Sequence, residues 1–245
     1  MIVQLQNSGS TKGRFRRTAA ALVRPFRTAY PDQARLVAQG PVVSEMIGIA
    51  LSSGLRARRA LNAGAGEGLY TRKLLNLPDL EALVEFDISY PDGGRPQIDP
   101  RQRITYGSLT QIPVINEWSD LVLCSEVLEH VEDDLMAIRE LARVISPGGY
   151  LLISVPTSPA PFDPAHVREG YRLEDLTGLL CDAGFSVVAS KVCMFGAFKA
   201  LLRWWRVCPW IPKAIIPCWA RFDRRWRLGQ PMDLVLLCRR TMHQE

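Results

Sequence analysis

The chain alternates between two hydrophobic periods. Short runs rich in Val, Ile and Leu predict strands near 57–63, 81–86, 103–106, 119–124, 150–155, 186–192 and 233–239. Between them, helical spacing predicts helices near 67–76, 131–145 and 173–183, with a further helix-like pattern over 42–53 (Val42, Met46, Ile49). Asp120-Leu121-Val122-Leu123-Cys124 is close to continuously apolar, as expected of a strand covered on both faces. Ser146-Pro147-Gly148-Gly149 stops the preceding helix and turns into the next strand. Gly40-Pro41 predicts a break. Alternation of this kind implies an α/β fold with a doubly wound, mostly parallel, seven-stranded sheet and helices on both faces.

Composition refines this picture. With 245 residues and 47% hydrophobic content, the chain can bury one domain with appendages. The net charge of +5 conceals a segregation: residues 1–40 carry +6, 41–190 carry −9 and 191–240 carry +9. The division predicted is a basic N-terminal arm or lid over 1–40 and a main domain over 41–245. Five of the six tryptophans and three prolines fall in 195–226, ahead of the last strand, so this stretch is a helical insert. The six cysteines form no CxxC pair and read as reduced, mostly buried thiols of a cytoplasmic protein. No apolar leader and no run of 18 apolar residues is seen, so neither export nor a bilayer span is expected.

The chemistry concentrates in two places. Arg59–Ala63 reads as a buried strand entering the glycine-rich turn Gly64-Ala65-Gly66-Glu67-Gly68, where backbone can approach a nucleotide-like ligand closely. Leu83–Asp87 follows as a second strand ending in a carboxylate, suited to bidentate contact with ribose hydroxyls. The spacing is Gly-x-Gly-x-Gly, which disfavours an NAD-type oxidoreductase.

In order, these parts, Gly107-Ser108-Leu109, the Cys124–Val131 block and Ser146–Gly149 resemble class I S-adenosylmethionine-dependent methyltransferases, the type 11 group in particular. The resemblance covers roughly 42–192, and Met232–Arg240 matches the closing strand. It implies S-adenosylmethionine as cofactor, held by Asn62, Gly64, Ala65, Gly66, Gly68, Asp87, Ser108, Leu109 and Cys124. Three places depart from the family's pattern, the first being Ala65-Gly66-Glu67-Gly68, where Cys-Gly-Thr-Gly is usual. Asn62 stands where an acid is usual, and Ser108 stands where an aspartate often contacts the adenine amino group.

The second place is Glu126-Val127-Leu128-Glu129-His130. On a helix, Glu126, Glu129 and His130 would share a face, and His166 lies on a later loop. Two carboxylates and two imidazoles can ligate Mg²⁺ or Mn²⁺. The arrangement is similar to that of small-RNA 2′-O-methyltransferases and of ubiquinone-biosynthesis O-methyltransferases. That likeness implies a metal on a substrate hydroxyl; lining of a metal-free pocket is the alternative. His130 and His166 are the candidate general bases, and Glu126 and Glu129 complete the candidate catalytic set.

Within the insert, Lys199, Arg203 and Arg206 fall on one helical face, and Phe195, Phe198, Leu202 and Trp205 on the opposite one. This suits either a peripheral contact with the inner face of an anionic membrane or a lid whose apolar face covers a substrate pocket or a dimer partner. Nucleic acid is disfavoured as partner, because no recognisable binding module accompanies the basic residues. The reading is a methyltransferase acting on a small-molecule or lipid-like acceptor, with oxygen favoured as the accepting atom. A non-catalytic, membrane-associated cofactor-binding protein of the same fold is the alternative of a different class.

Overall fold

The computed structural model describes residues 31–90, 94–160, 164–208 and 211–242. The basic stretch 1–30 and Trp210 lie outside them. Helix α1 spans Pro31–Ser52, strand β1 Arg59–Ala63, helix α2 Thr71–Leu75, β2 Ala82–Asp87, β3 Gln102–Tyr106 and β4 Ser119–Ser125. A 3₁₀ turn, Leu128–His130, precedes α3 (Asp134–Val144), β5 (Ile145–Pro156), α4 (Leu173–Asp182) and β6 (Phe185–Cys193). The insert holds α5 (Gly196–Val207), a 3₁₀ turn at Lys213–Ile215 and α6 (Ile216–Trp226), and β7 spans Asp233–Arg240.

The seven strands lie in the order β3-β2-β1-β4-β5-β7-β6. The first five pair in parallel, while β7 runs antiparallel between β5 and β6. The strand order reverses at β1, which has β2 on one side and β4 on the other. In open α/β sheets, ligands bind outside the carboxyl ends of the strands at such a switch point.

Alternate residues of the central strands feed two cores. Ala60, Leu83, Leu121, Leu123, Leu152, Val235 and Leu237 pack with α1, α2, α5 and α6 on one face. Leu61, Phe86, Val122, Leu151, Ile153, Leu234 and Leu236 pack with α3 and α4 on the other. Period-2 alternation with both faces buried is what makes these strands read as apolar runs.

The predicted break at Gly40-Pro41 is absent: α1 runs through Pro41. The proline gives up one helical hydrogen bond at a cost of roughly 3 kcal/mol. Val42, Val43, Met46 and Ile47 beyond it are buried, and four such side chains contribute about 6–12 kcal/mol of transfer free energy. Burial along one face therefore holds the helix together, and position 40 lies inside an element. The stretch Gln33–Ser52 is long and apolar enough to cross a bilayer by length and composition alone, and half of its most apolar window is buried within the fold. It serves here as a core helix. The helix expected over 67–76 is confined to Thr71–Leu75, and β5 starts earlier than predicted, taking in Ser146–Gly149.

Candidate functional site

The glycine loop follows β1 at the switch point. Gly64, Gly66 and Gly68 all have positive φ, at 69°, 48° and 78°. Each does a different job. A Cβ on Gly64 would lie 2.3 Å from Cγ2 of Val127, so this glycine lets the Glu126–His130 block pack directly against the loop. A Cβ on Gly68 would strike Arg95 and Thr71 at 2.5 Å. A Cβ on Gly66 would meet nothing within 4 Å, which leaves open space over the loop. Asp87 faces that loop from the end of β2. Its Oδ2 accepts the Gly66 N–H at 2.7 Å and its Oδ1 accepts the Ser89 N–H at 3.1 Å. Each oxygen retains lone-pair capacity for a ligand hydroxyl. The open cradle and the carboxylate poised over it fit the ribose half of S-adenosylmethionine.

Beneath the loop is a buried polar knot that the sequence reading missed. Glu85, two positions before Asp87 on β2, is fully buried. It accepts from Asn62 Nδ2 and Thr71 Oγ1, each at 2.7 Å, and from Gln102 and the Arg95 guanidinium. Arg95 also donates to the carbonyl of Gly66 at 3.1 Å. One ion pair thus ties the floor of the site to the loop's backbone. The bond to a carboxylate, which can only accept, fixes the amide orientation of Asn62 and leaves its Oδ1 as the acceptor. Glu85 brings a carboxylate next to Asn62, but that carboxylate is already committed to four donors. The available signal was a charged residue inside the apolar run Leu83–Phe86, because a buried charge needs partners.

The second constellation is divided. Glu126 has φ 57°, and the chain turns sharply there before the 3₁₀ turn. Its side chain points to α1, where Arg35 Nη1 donates at 2.9 Å and Gln39 Nε2 at 3.2 Å. Glu129, His130 and His166 come together instead, with one potential ligand atom from each lying within 4.8 Å of the others. The expected common face for Glu126, Glu129 and His130 is therefore not formed, because the segment is helical only over Leu128–His130. Glu126 does not belong to the candidate metal group.

Within that group, His130 Nδ1 donates to the carbonyl of Ala165 at 2.9 Å, which leaves Nε2 as the acceptor in the neutral ring. The His130 and His166 rings meet edge to face at 4.8 Å. Glu129 is fully buried, and neither carboxyl oxygen has a hydrogen-bond partner among the described residues. Burial, reinforced by the Glu126 charge, pushes its carboxyl up to about 9. An orphaned buried carboxyl beside two imidazoles fits a divalent cation, which would draw off the proton.

On the other side of Glu126 lies a buried network that joins α1 to the sheet. Gln39 donates to Asp233 at 2.9 Å and to Ser154 at 3.3 Å, and it accepts from Ser125 at 3.2 Å and from the Tyr70 hydroxyl. Burial and the nearby Glu126 hold the Asp233 carboxyl well above the usual carboxylate range.

The remaining predicted cofactor residues differ in what they can offer. Ser108 bonds within its own turn, to Thr110 Oγ1 at 2.8 Å. Leu109 and Cys124 are buried in the second core, and Cys124 has no exposed surface. Tyr90 is a residue the sequence reading passed over. Its hydroxyl is buried without a partner among the described residues, close to Asp87 and Arg95.

In the insert, Phe195, Phe198 and Leu201 are buried, and Leu202 and Trp205 pack against the core, so the predicted apolar face is already covered. Asp223 of α6 accepts the N–H groups of Phe195 and Phe198 at 2.8 and 2.9 Å, capping α5 from another helix. The six cysteines are free thiols, but Cys181 and Cys218 are exposed, fewer buried than expected.

Comparison with known proteins agrees with this geometry. Residues 61–153 match the methyltransferase domain family. A probable S-adenosylmethionine-dependent methyltransferase of Mycobacterium tuberculosis is 34% identical over 140 residues, covering 54% of this chain and 50% of that protein. One from Mycolicibacterium smegmatis is 32% identical over 152 residues, covering 59% and 58%. The chain therefore spans about half the length of these relatives. Among solved structures, a candidate sarcosine dimethylglycine methyltransferase of Galdieria sulphuraria superposes with a TM-score of 0.60 at 15% identity, over 94% of this chain and 98% of that one. That likeness speaks to fold. The match over residues 61–153 shows that this chain carries a methyltransferase domain, and the relatives it resembles there are S-adenosylmethionine-dependent methyltransferases.

Proposed function

We propose that the protein transfers a methyl group from S-adenosylmethionine to a hydroxyl of a small-molecule or lipid-like acceptor. The observation that carries the donor half is the cradle over Gly66, with Asp87 bonded to the loop below it. When bound, S-adenosylmethionine supplies an electrophilic methyl group. The chain's task is to hold donor and acceptor in line and exclude water, which can supply about 7–11 kcal/mol. A hydroxyl acceptor must also lose a proton. His130 supports that role, since its Nε2 is left as the acceptor beside His166.

Calorimetry tests the donor half. S-adenosylmethionine should bind the parent, and Asp87→Ala should weaken it by roughly 100-fold through loss of two charge-assisted contacts. No binding at millimolar concentration would sink the proposal.

A divalent metal at Glu129, His130 and His166 is the second reading, favoured by the Glu129 carboxyl, which accepts no hydrogen bond among the described residues and lies 3.8 Å from His130 Nε2. There it would lower the pKa of a substrate hydroxyl. Mn²⁺ should raise the melting temperature of the parent and leave that of His166→Ala unmoved. Equal shifts in both would exclude this site.

A further inference from the structure

We propose that a second groove, apart from the donor cradle, binds an anionic amphiphile: a phosphate or carboxylate head joined to an apolar chain. The groove lies at the carboxyl edge of the sheet, where β5 ends, α4 begins and β6 forms the border, with α5 across from them. Its volume is about 590 Å³, within the range of small-ligand pockets. None of the cofactor or His/Glu residues described above lines it.

Its charge is one-sided. Arg172, Lys191 and Lys199 line it, and among the described residues no acid does. Lys191 is engaged by Glu45 of α1. Arg172 and Lys199 make no ion pair among the described residues, so both remain available to an anion. A guanidinium and an ammonium together suit phosphate or carboxylate oxygens. Beside them the wall is apolar, formed by Pro159, Leu173, Val192, Met232 and Leu234. Leu173 and Val192 are each 39% exposed, and Val192 sits on a strand bonded on one side only. Apolar surface next to unpaired cations fits neither a free inorganic ion nor a neutral lipid, but a molecule with both parts. Tyr171 closes the groove's inner wall. Its hydroxyl bonds Asp134 at 3.0 Å and approaches the carbonyl of Leu128 at 3.5 Å, in the turn that carries Glu129 and His130. The groove thus backs directly onto the candidate chemical centre.

The test is calorimetry of the full chain with octyl phosphate below its micellar concentration, which does not depend on methyl transfer. Binding is expected, weakening roughly 10- to 100-fold in Arg172→Gln/Lys199→Gln. S-adenosylmethionine affinity and melting temperature should stay unchanged in that variant. Octanol or inorganic phosphate binding as tightly as octyl phosphate would overturn the proposal, as would equal affinity in parent and variant. If the double variant fails to fold, Val192→Glu tests the same groove through its apolar wall and should likewise weaken binding. Competition by phosphatidylglycerol vesicles would identify a membrane lipid as the source of the head group; retention of octyl phosphate in their presence would identify a free amphiphile.

Discussion

At the scale of single residues, Glu85 carries more than its place in an apolar strand suggests. It has no exposed surface, and the Arg95 side chain is only 10% exposed. Removing one partner of such a pair leaves the other charged and desolvated, at about 3–5 kcal/mol. Glu85→Ala should lower unfolding free energy by about that amount in urea denaturation, while Glu85→Ala/Arg95→Ala together should cost less than the two changes summed. Strict additivity would mean that the pair does not act as a unit. Gly64, Gly66, Gly68 and Asp87 were legible because glycine spacing and a strand-terminal acid are local signals. The partners of Glu85 were not, since they stand 10 to 23 positions away and only the fold brings them together. Glu126 misled for a different reason. Helical spacing predicts a shared face only if the segment is helical throughout, and a left-handed residue at the start sends its side chain elsewhere.

At the scale of elements, α1 is fastened to the sheet by hydrogen bonds as well as by packing. Gln39 links it to β4, β5 and β7 through Ser125, Ser154 and Asp233. Because the folded state raises the Asp233 carboxyl, it keeps a proton there that the unfolded chain releases above about pH 4. The contribution of this group to stability is therefore fully present at low pH and declines as pH rises, by up to ~1.4 kcal/mol per pH unit. Asp233→Asn holds the neutral form permanently and still accepts from Gln39. The melting temperature of this variant should exceed the parent's by a margin that widens from pH 5 to pH 8; a margin independent of pH would refute the assignment. The apolar runs gave nearly every strand to within a few residues, because burial on both faces leaves a plain composition signal. Helix limits were less legible: Pro41 argues locally for a break that tertiary burial overrides.

At the scale of the whole molecule, charge and exposed aromatics gather on the insert. Trp204 is 54% and Trp226 60% exposed. Arg225 stacks on Trp226, and the Phe222 ring lies 6.2 Å from it. These are not the residues on the apolar face predicted for 195–207, which is spent on the core. They are exposed on α5 and α6, where Arg203, Arg221 and Arg224 are exposed as well. A peripheral contact with anionic membrane through this surface predicts sedimentation with phosphatidylglycerol vesicles at low salt and release near 0.5 M salt, roughly where screening shortens to a few ångströms. Trp204→Ser/Trp226→Ser should lose it. Vesicle binding that persists in the variant would assign the contact elsewhere.

The place of β7 bears on how the molecule comes into being during synthesis. It is the last strand in chain order yet the next-to-last across the sheet, joined to β5 on one side and β6 on the other. A nascent chain that has not yet released Asp233–Arg240 from the ribosome carries two unsatisfied strand edges, and β6 has no neighbour at all. The insert lies between β6 and β7, so its emergence sets how long that interval lasts. Open edges of this kind invite pairing between chains. The segment that shapes the finished surface is thus also a translational delay, and slow decoding across 194–232 would prolong the period in which the protein is most exposed to aggregation or chaperone capture.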